Sequence, residues 1–225
     1  MDSIEKRQMS ESVLVGSLLV LTGGFLDAYS YLCRGEVFAN AQTGNIVLLG
    51  IQIAEGDWSM ALQYLLPVVI FAVGIYMAEQ LRWLLKQKDG FHWRQIVLAI
   101  EMLVVFCTAF LGPAFNWLAN SMISFVCALQ VESFRKIRGN ACATTMCTGN
   151  LRSAAELMYR YHQTGDGVLL KKSGIYYLLI LLFIVGAFFG GLVTNQLQYK
   201  ASLLALMPLF LCFLIMFREE EQAGR

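Results

Sequence analysis

The sequence predicts an all-α membrane protein with six transmembrane helices and two re-entrant half-helices, arranged as two inverted repeats. Of its 225 residues, 57% are hydrophobic and 15% are charged, whereas soluble domains are about half apolar and about a quarter charged. A three-residue motif, Thr-Gly-Asn, occurs twice at a spacing of 105 residues. The basic residues fall mostly on one side of the predicted membrane. These three observations give the fold class, the repeat and its orientation.

Six apolar stretches are long enough to cross a bilayer, which requires about 20 predominantly apolar residues. They are residues 12–33, 59–83, 94–112, 114–134, 173–195 and 200–217. Lys6 and Arg7 precede the first stretch, as basic residues do in a signal peptide. That stretch is too long for a signal peptide, contains Asp27 and is followed by no A-x-A-like cleavage site. We therefore expect it to be the first transmembrane helix.

Two further stretches, residues 36–54 and 140–160, are apolar but shorter, and polar residues interrupt them. We expect them to enter the membrane without crossing it. Each contains one copy of the repeated motif, as Thr43-Gly44-Asn45 and Thr148-Gly149-Asn150.

The same spacing relates two acidic residues, because Asp27 and Glu132 each precede their motif by 16 positions. Each half then consists of a helix, a short segment and two more helices. The chain is predicted to be one transmembrane domain, residues 1–225, with repeat one at about 12–112 and repeat two at about 114–218. Internal repeats of this kind recur in transporter folds.

Lys and Arg mark the cytoplasmic side of a membrane protein. With six crossings and a cytoplasmic N-terminus, 15 of the 17 basic residues lie inside, and only Arg34 and Lys200 lie outside. If both short segments crossed fully, Arg82, Lys86 and Lys88 would lie outside. The charges therefore favour re-entrant segments, both termini in the cytoplasm and halves that run in opposite directions.

The repeated motifs are candidates for a site at the middle of the membrane. Glycine permits a turn, and threonine or asparagine can cap the helix that follows, predicted at 45–54 and 150–160. Such helix starts present free N–H groups and a positive dipole to an anion or a polar solute. The alternative is that the motif only caps a buried half-helix. The candidate binding residues are Asp27, Asn40, Thr43, Gly44, Asn45, Glu132, Thr148, Gly149 and Asn150.

The two acids are costly inside a membrane, by about 2.5–3.5 kcal/mol each on insertion scales. They could relay protons or cations or contact the substrate, or they could only bind the neighbouring Thr-Gly-Asn turn. Glu132 is also near Arg135 and Lys136 and could form an interfacial ion pair. Glu101 has no acidic counterpart at the 105-residue spacing and could pair with a cation on another helix.

Two other pairs of residues have positions that suggest a role. Arg152 and Glu156 are neighbours on the second half-helix and could line a polar vestibule. Gly186 and Gly190 form a GxxxG pattern, which indicates a helix contact either within the chain or between subunits of a homo-oligomer.

The sequence contains no set of residues that indicates catalysis. There is no nucleophile–base pair, no glycine-rich phosphate loop, no H-E-x-x-H and no CxxC pair. We therefore expect no enzyme activity, no cofactor and no metal site. The net charge of +1 argues against nucleic-acid binding. The expected partners are the lipid bilayer and a small solute or ion.

Four segments carry a resemblance to a known family. They are T-G-G-F-L-D-A-Y-S-Y-L at 22–32, V-F-A-N-A-Q-T-G-N at 37–45, Q-V-E-S-F-R at 130–135 and T-T-M-C-T-G-N at 144–150. The chain resembles the YoaK family of bacterial integral membrane proteins over nearly its whole length. The resemblance implies a multi-pass protein of the bacterial inner membrane with about six spans. It implies no substrate and no catalytic residue.

Taken together, these patterns favour a small secondary transporter or channel-like permease for a small polar or anionic solute. The alternative is a structural or partner-binding membrane protein, in which the same features serve only helix packing.

Overall fold

The computed structural model describes residues 11–85 and 93–223, which form eight α-helices, short 3₁₀ turns and a small β-hairpin. The helices are α1 Val13–Cys33, α2 Gln42–Glu55, α3 Trp58–Leu85, α4 Trp93–Thr108, α5 Asn116–Ser133, α6 Cys147–Thr164, α7 Gly167–Leu197 and α8 Ser202–Ala223. The hairpin pairs β1 (Lys136–Ile137) with β2 (Asn140–Ala141). Lys6, Arg7, Lys86 and Lys88, which helped to predict the orientation, lie outside the described residues.

The predicted helical class is confirmed. Four helical stretches in the described part of the chain are long and apolar enough to cross a membrane: Val13–Cys33, Trp58–Leu84, Pro113–Ser133 and Gly167–Phe217. The last contains both α7 and α8, with a 3₁₀ turn, Gln198–Ala201, between them. The predicted third helix, α4, has 16 residues, and at 1.5 Å per residue it is about 24 Å long.

One set of contacts places the beginnings of α1 and α4 beside the end of α5. Arg94 Nε donates to the carbonyl oxygen of Ser133 (2.9 Å), and its guanidinium pairs with Glu11 at 3.7 Å. We call this end of the helix bundle the Arg94 end.

A second set of contacts defines the opposite end. Arg34, directly after α1, donates to the carbonyl oxygens of Thr108 (2.6 Å) and Leu111 (2.8 Å). Its guanidinium lies 4.5 Å from the ring centre of Tyr199, between α7 and α8. We call this the Arg34 end. Helix α1 therefore runs from the Arg94 end to the Arg34 end, and α5 runs in the opposite direction.

The main helix contacts follow a regular scheme. Helix α1 packs against α7 and α8, while α5 packs against α3 and α4. Helices α2 and α6 each pack on the helix that follows, α2 on α3 and α6 on α7, and α4 packs on α8. This scheme is unchanged when α1 to α4 are exchanged, in order, with α5 to α8.

Glycines allow close contact between α1 and α7. A Cβ added at Gly186 would collide with the carbonyl oxygen of Leu21, and one at Gly190 would lie 2.7 Å from the carbonyl oxygen of Phe25. Gly24 faces the backbone of Phe183 in the same way. Gly186 and Gly190 thus make the predicted helix contact within the chain, and a contact between subunits through them remains a prediction.

Candidate functional site

The segment between α1 and α2, residues 34–41, lies beside the middle of α1. After α1 the chain folds back, so that Asp27 Oδ1 accepts hydrogen bonds from the backbone N–H groups of Asn40 (2.8 Å) and Ala41 (3.3 Å). Asn40 Nδ2 donates to the carbonyl oxygen of Gly23 (2.9 Å). Because Gly23 is the central residue of α1, α2 begins at the depth of the middle of that helix.

The segment that leads into α6 reaches the same glycine from the second half of the chain. A Cβ added at Gly23 would lie 3.1 Å from the carbonyl oxygen of Thr144 and 3.3 Å from Cγ2 of Thr145. Gln130 Nε2 on α5 holds this segment by donating to Thr144 Oγ1 (2.8 Å), and α6 begins at Cys147. The absence of a side chain at Gly23 allows both segments to approach α1.

The asparagines of the two motifs make equivalent hydrogen bonds. Asn45 Oδ1 accepts from the N–H of Phe38 (3.0 Å), and its Nδ2 donates to the Phe38 carbonyl. Asn150 Oδ1 accepts from the N–H of Ala143 (3.4 Å), and its Nδ2 donates to the Ala143 carbonyl (2.8 Å). Each side chain thus binds the peptide groups of the residue seven positions earlier, and both asparagines are buried.

The predicted capping role of the motif is wrong. Both helices begin three residues earlier than predicted, so the motif lies within the first turn, and the N-cap residues are Ala41 and Met146. Neither N-cap side chain forms a capping hydrogen bond. The asparagines instead hold the extended segment that leads into each helix, because its peptide groups need partners that lipid cannot supply.

The glycines and threonines of the motifs have different surroundings. Gly44 packs closely, since an added Cβ would lie 2.9 Å from Cδ2 of Phe38, whereas a Cβ at Gly149 would meet no atom within 4 Å. Neither glycine has a positive φ. Thr43 and Thr148 are both exposed.

The starts of α2 and α6 differ in charge. Asp27 occupies the start of α2 with its own carboxylate. Glu132, which precedes the second motif by the same 16 positions, pairs with Arg135, which also contacts Glu79. Among the described residues, no side chain caps α6, and the buried hydroxyl of Thr145 has no hydrogen-bond partner. Cys147, the first residue of α6, lies within electrostatic range of Asp27. The carboxylate of Asp27 therefore binds backbone N–H groups at the start of α2, whereas in the described part of the chain no carboxylate does so at the start of α6.

The polar pair predicted on α6 is rearranged. Glu156 forms an ion pair with Arg160 at 3.5 Å, one turn further along the helix, instead of with Arg152. Arg152 and Glu156 are both exposed on α6. Whether they line a vestibule remains a prediction.

Arg34 is a buried cation whose contacts the sequence does not predict. It is completely buried and donates to backbone carbonyls, to Asn116 Oδ1 (3.2 Å) and to the hydroxyl of Tyr29 (2.7 Å from Nη2). A buried guanidinium needs such partners for all its N–H groups. An arginine directly after an apolar helix and followed by glycine is a common interfacial pattern, so the sequence offers no signal of this role.

Cavities lie at both ends of the bundle. The cavity at the Arg34 end has a volume of about 420 Å³, and its polar lining includes Glu36, Asn195 and Gln198. The cavity at the Arg94 end has a volume of about 290 Å³ and is lined by charged residues. Those residues are Glu11, Arg82, Arg94, Glu132, Arg135 and Lys136.

Comparison with known proteins agrees with the resemblance noted in the sequence. The sequence model of a family described as "Protein of unknown function (DUF1275)" matches residues 15–216. The chain is 27% identical over 209 residues to the UPF0700 transmembrane protein YoaK of Bacillus subtilis (strain 168), which covers 89% of this chain and 90% of that protein. No solved structure matches the chain.

Proposed function

Because this chain belongs to the DUF1275 family, which includes multi-pass membrane proteins, we propose that it is a secondary transporter or channel-like permease for a small polar or anionic solute. The observation that carries this proposal is that the segments leading into α2 and α6 both contact Gly23, in the middle of α1. Many transporters bind their substrates where discontinuous helices begin near the middle of the membrane.

The proposal includes an inverted repeat of four helices. Three observations support it: the helix contacts keep their scheme when the two halves are exchanged, Asn45 and Asn150 make the same hydrogen bonds, and α1 and α5 run in opposite directions. In this arrangement α2 and α6 are re-entrant, and the other six helices cross the membrane. The pseudo-two-fold axis of this repeat then brings the starts of α2 and α6 together.

The proposed orientation places the Arg94 end in the cytoplasm. Arg82, Arg94, Arg135 and Lys136 all line the cavity at that end, whereas Arg34 and Lys200 lie near the opposite end. Cytoplasmic segments are enriched in Lys and Arg. Both termini of the chain are then cytoplasmic, because α1 leaves the Arg94 end and α8 returns to it.

The solute site is proposed at the start of α6. Free N–H groups and the helix dipole favour an anionic or hydrogen-bond-accepting group there, and the unpartnered hydroxyl of Thr145 can supply one further donor. The start of α2 is less suitable because the carboxylate of Asp27 already occupies it. Thr148 and Gly149, both exposed in the first turn of α6, leave room for a ligand.

A structural or partner-binding protein is the second candidate. The two cavities described above lie at the ends of the bundle, and Gly23 lines neither of them. On this interpretation the bonds of Asp27, Asn45 and Asn150 serve only to satisfy backbone groups inside the membrane.

Flux measurements in liposomes distinguish the two candidates. The purified protein is reconstituted and tested with inorganic anions, small organic acids, amino acids and nucleobases, with protein-free liposomes as the baseline. We expect one class to cross faster than the baseline. If every class crosses at the baseline rate, the structural candidate is favoured.

A matched pair of variants then tests the position of the site. Thr145→Val removes the unpartnered hydroxyl, while Thr22→Val makes the same change one residue before Gly23, where the hydroxyl donates to its own helix at Leu18 (2.9 Å). A hydrogen bond to a charged group contributes about 1.5–3 kcal/mol, so Thr145→Val should raise the half-saturating solute concentration at least about tenfold. Equal effects of the two variants would place the site elsewhere.

A further inference from the structure

Glu101 is a buried acid that the proposed solute site does not use. It lies in the middle of α4, which packs on α5 and α8, and its side chain is completely buried. Among the described residues, neither carboxyl oxygen has a hydrogen-bond partner. The ionisable groups that face it are the thiols of Cys127 on α5 and Cys212 on α8. The sequence-based suggestion that Glu101 pairs with a cation is therefore wrong for the described residues.

This environment determines the charge of Glu101. Its neighbours on α4, Leu98 and Val105, belong to apolar clusters. An ionised carboxylate with no partner in such surroundings has a prohibitive solvation cost, whereas the neutral acid costs only a few kcal/mol (about 2–7 for a polar group). Glu101 therefore carries a proton in this conformation.

The fold itself does not require an acid at this position. The equivalent residue 105 positions later is Leu206 on α8. It is partly buried against the apolar cluster that contains Val105. A structural carboxyl group would be expected to donate or accept a hydrogen bond, and Glu101 does neither. Leucine would thus fill this space at lower cost, so the retained acid needs another explanation.

We propose that Glu101 is a reversible proton-binding site between α4 and α8. It holds its proton while the interface between these helices is closed, and it releases the proton to water when the interface opens. Opening and proton release are thermodynamically linked, because only the open state solvates the carboxylate. In the proposed transporter this exchange couples solute movement to a proton gradient; that use, and the comparison with Leu206, rest on the proposed function and its inverted repeat.

Covalent labelling tests whether the proton is exchangeable. Dicyclohexylcarbodiimide, which partitions into apolar sites, adds to protonated carboxyl groups, and peptide mass spectrometry locates the adduct. With the full-length protein in liposomes, we expect labelling of Glu101 at mildly acidic pH and a loss of labelling at alkaline pH. Absence of labelling at every pH, or labelling that is the same at every pH, would overturn the proposal.

The buried thiol of Cys212 reports the opening of the interface. Its alkylation by a maleimide is measured against pH in the wild-type protein and in Glu101→Gln, which mimics the protonated acid permanently. We expect alkylation to rise more steeply with pH in the wild type than in the variant, because only the wild type gains a charge that favours the open state. In the wild type a charged Glu101 also disfavours the thiolate of Cys212, so ionisation of the thiol alone would make the wild type respond less steeply than the variant. Identical pH profiles would refute the linkage.

Both measurements need no solute, so they are independent of the proposed function. Glu101→Leu provides a control for folding. It should be at least as resistant to thermal unfolding as the wild type, since leucine occupies the equivalent position in the second half. A strong loss of stability in Glu101→Leu would assign the acid to structure and would contradict the proposal.

Discussion

Asn45 and Asn150 stand 105 residues apart in the chain, and each binds both peptide groups of the residue seven positions before it. In the sequence the motif is a recurrence of three residues, and in the structure its asparagine binds the segment that leads into a helix. Such a segment exposes N–H and C=O groups that neither a helix nor lipid can satisfy. Each copy of the motif therefore supplies an asparagine that satisfies the backbone hydrogen bonds of the segment before its helix.

The first prediction concerns these two asparagines. Asn45→Ala and Asn150→Ala each leave a buried peptide pair unsatisfied, which costs about 1–3 kcal/mol per unsatisfied group. Both variants should unfold at a clearly lower temperature than the wild type in detergent. Val47→Ala is the control, because Val47 is 56% exposed and its truncation removes little packing. If Asn45→Ala and Val47→Ala unfold at the same temperature, the proposed role of the asparagine is wrong.

The second prediction uses the difference between the motif glycines. Gly44→Ala should destabilise the protein, since its Cβ would press on the Phe38 ring at 2.9 Å, and overpacking typically costs about 1–3 kcal/mol. Gly149→Ala should be neutral or slightly stabilising, because the space around it is open and alanine favours helix. Thermal unfolding of the two variants side by side provides the test. Equal losses would show that the two motifs are packed alike.

The six long apolar stretches of the sequence correspond to α1, α3, α4, α5, α7 and α8, because long apolar runs are a strong signal. Among the described residues, however, only four helical stretches are long and apolar enough to cross a membrane. The sequence also predicted α2 and α6, although with starts three residues too late. The capping propensity of Thr and Asn predicts a helix start at the motif itself, whereas the helices begin before it. The contact that determines the actual start, between each asparagine and a residue seven positions earlier, has no signature in local propensity.

The third prediction compares two glycines on α7. Gly186 lies against the backbone of Leu21, whereas a Cβ added at Gly174 on the same helix meets no atom within 4 Å. Gly186→Ala should therefore separate α7 from α1 and lower the unfolding temperature. Gly174→Ala should leave it unchanged or raise it, because alanine is favoured over glycine in a helix by about 0.5–1 kcal/mol. A harmless Gly186→Ala would exclude the observed packing of α1 on α7.

The candidate site was predicted less completely than the fold. Asp27 was identified because an acid within an apolar run is conspicuous. One predicted alternative was a hydrogen bond to the Thr-Gly-Asn turn, whereas the carboxylate accepts from Asn40 and Ala41, just before the motif. The equivalence of Glu132 is only partial, since its carboxylate turns to Arg135. The contacts of Gly23 with Asn40 and with the Thr144–Thr145 segment could not be predicted, because they depend on two distant segments meeting at one point of α1.

The fourth prediction concerns orientation. Single cysteines are introduced at Asp57, between α2 and α3, and at Gln87, between α3 and α4. A membrane-impermeant maleimide applied to intact cells should label position 57 but not position 87, and position 87 should react only after the cells are opened. The unmodified chain, with its six native cysteines, gives the background. Labelling of both positions from the same side would exclude the inverted repeat.

The last prediction separates the structural role of Asp27 from its charge. Asp27→Asn keeps a carbonyl oxygen that can accept from the N–H groups of Asn40 and Ala41, whereas Asp27→Ala leaves both donors without a partner inside the membrane. We expect Asp27→Ala to lose stability, by about 1.5–3 kcal/mol for each charge-assisted hydrogen bond removed, and Asp27→Asn to remain close to the wild type in thermal unfolding.

Flux should respond differently from stability in these two variants. Removing the charge at the start of α2 leaves its N–H groups and dipole without an anion, so Asp27→Asn should allow a solute anion to compete for this second helix start. Flux in liposomes should then change in its dependence on pH and on solute concentration, although the protein is folded. If Asp27→Asn transports as the wild type does while Asp27→Ala is destabilised, the carboxylate serves only to hold the segment before α2 against α1.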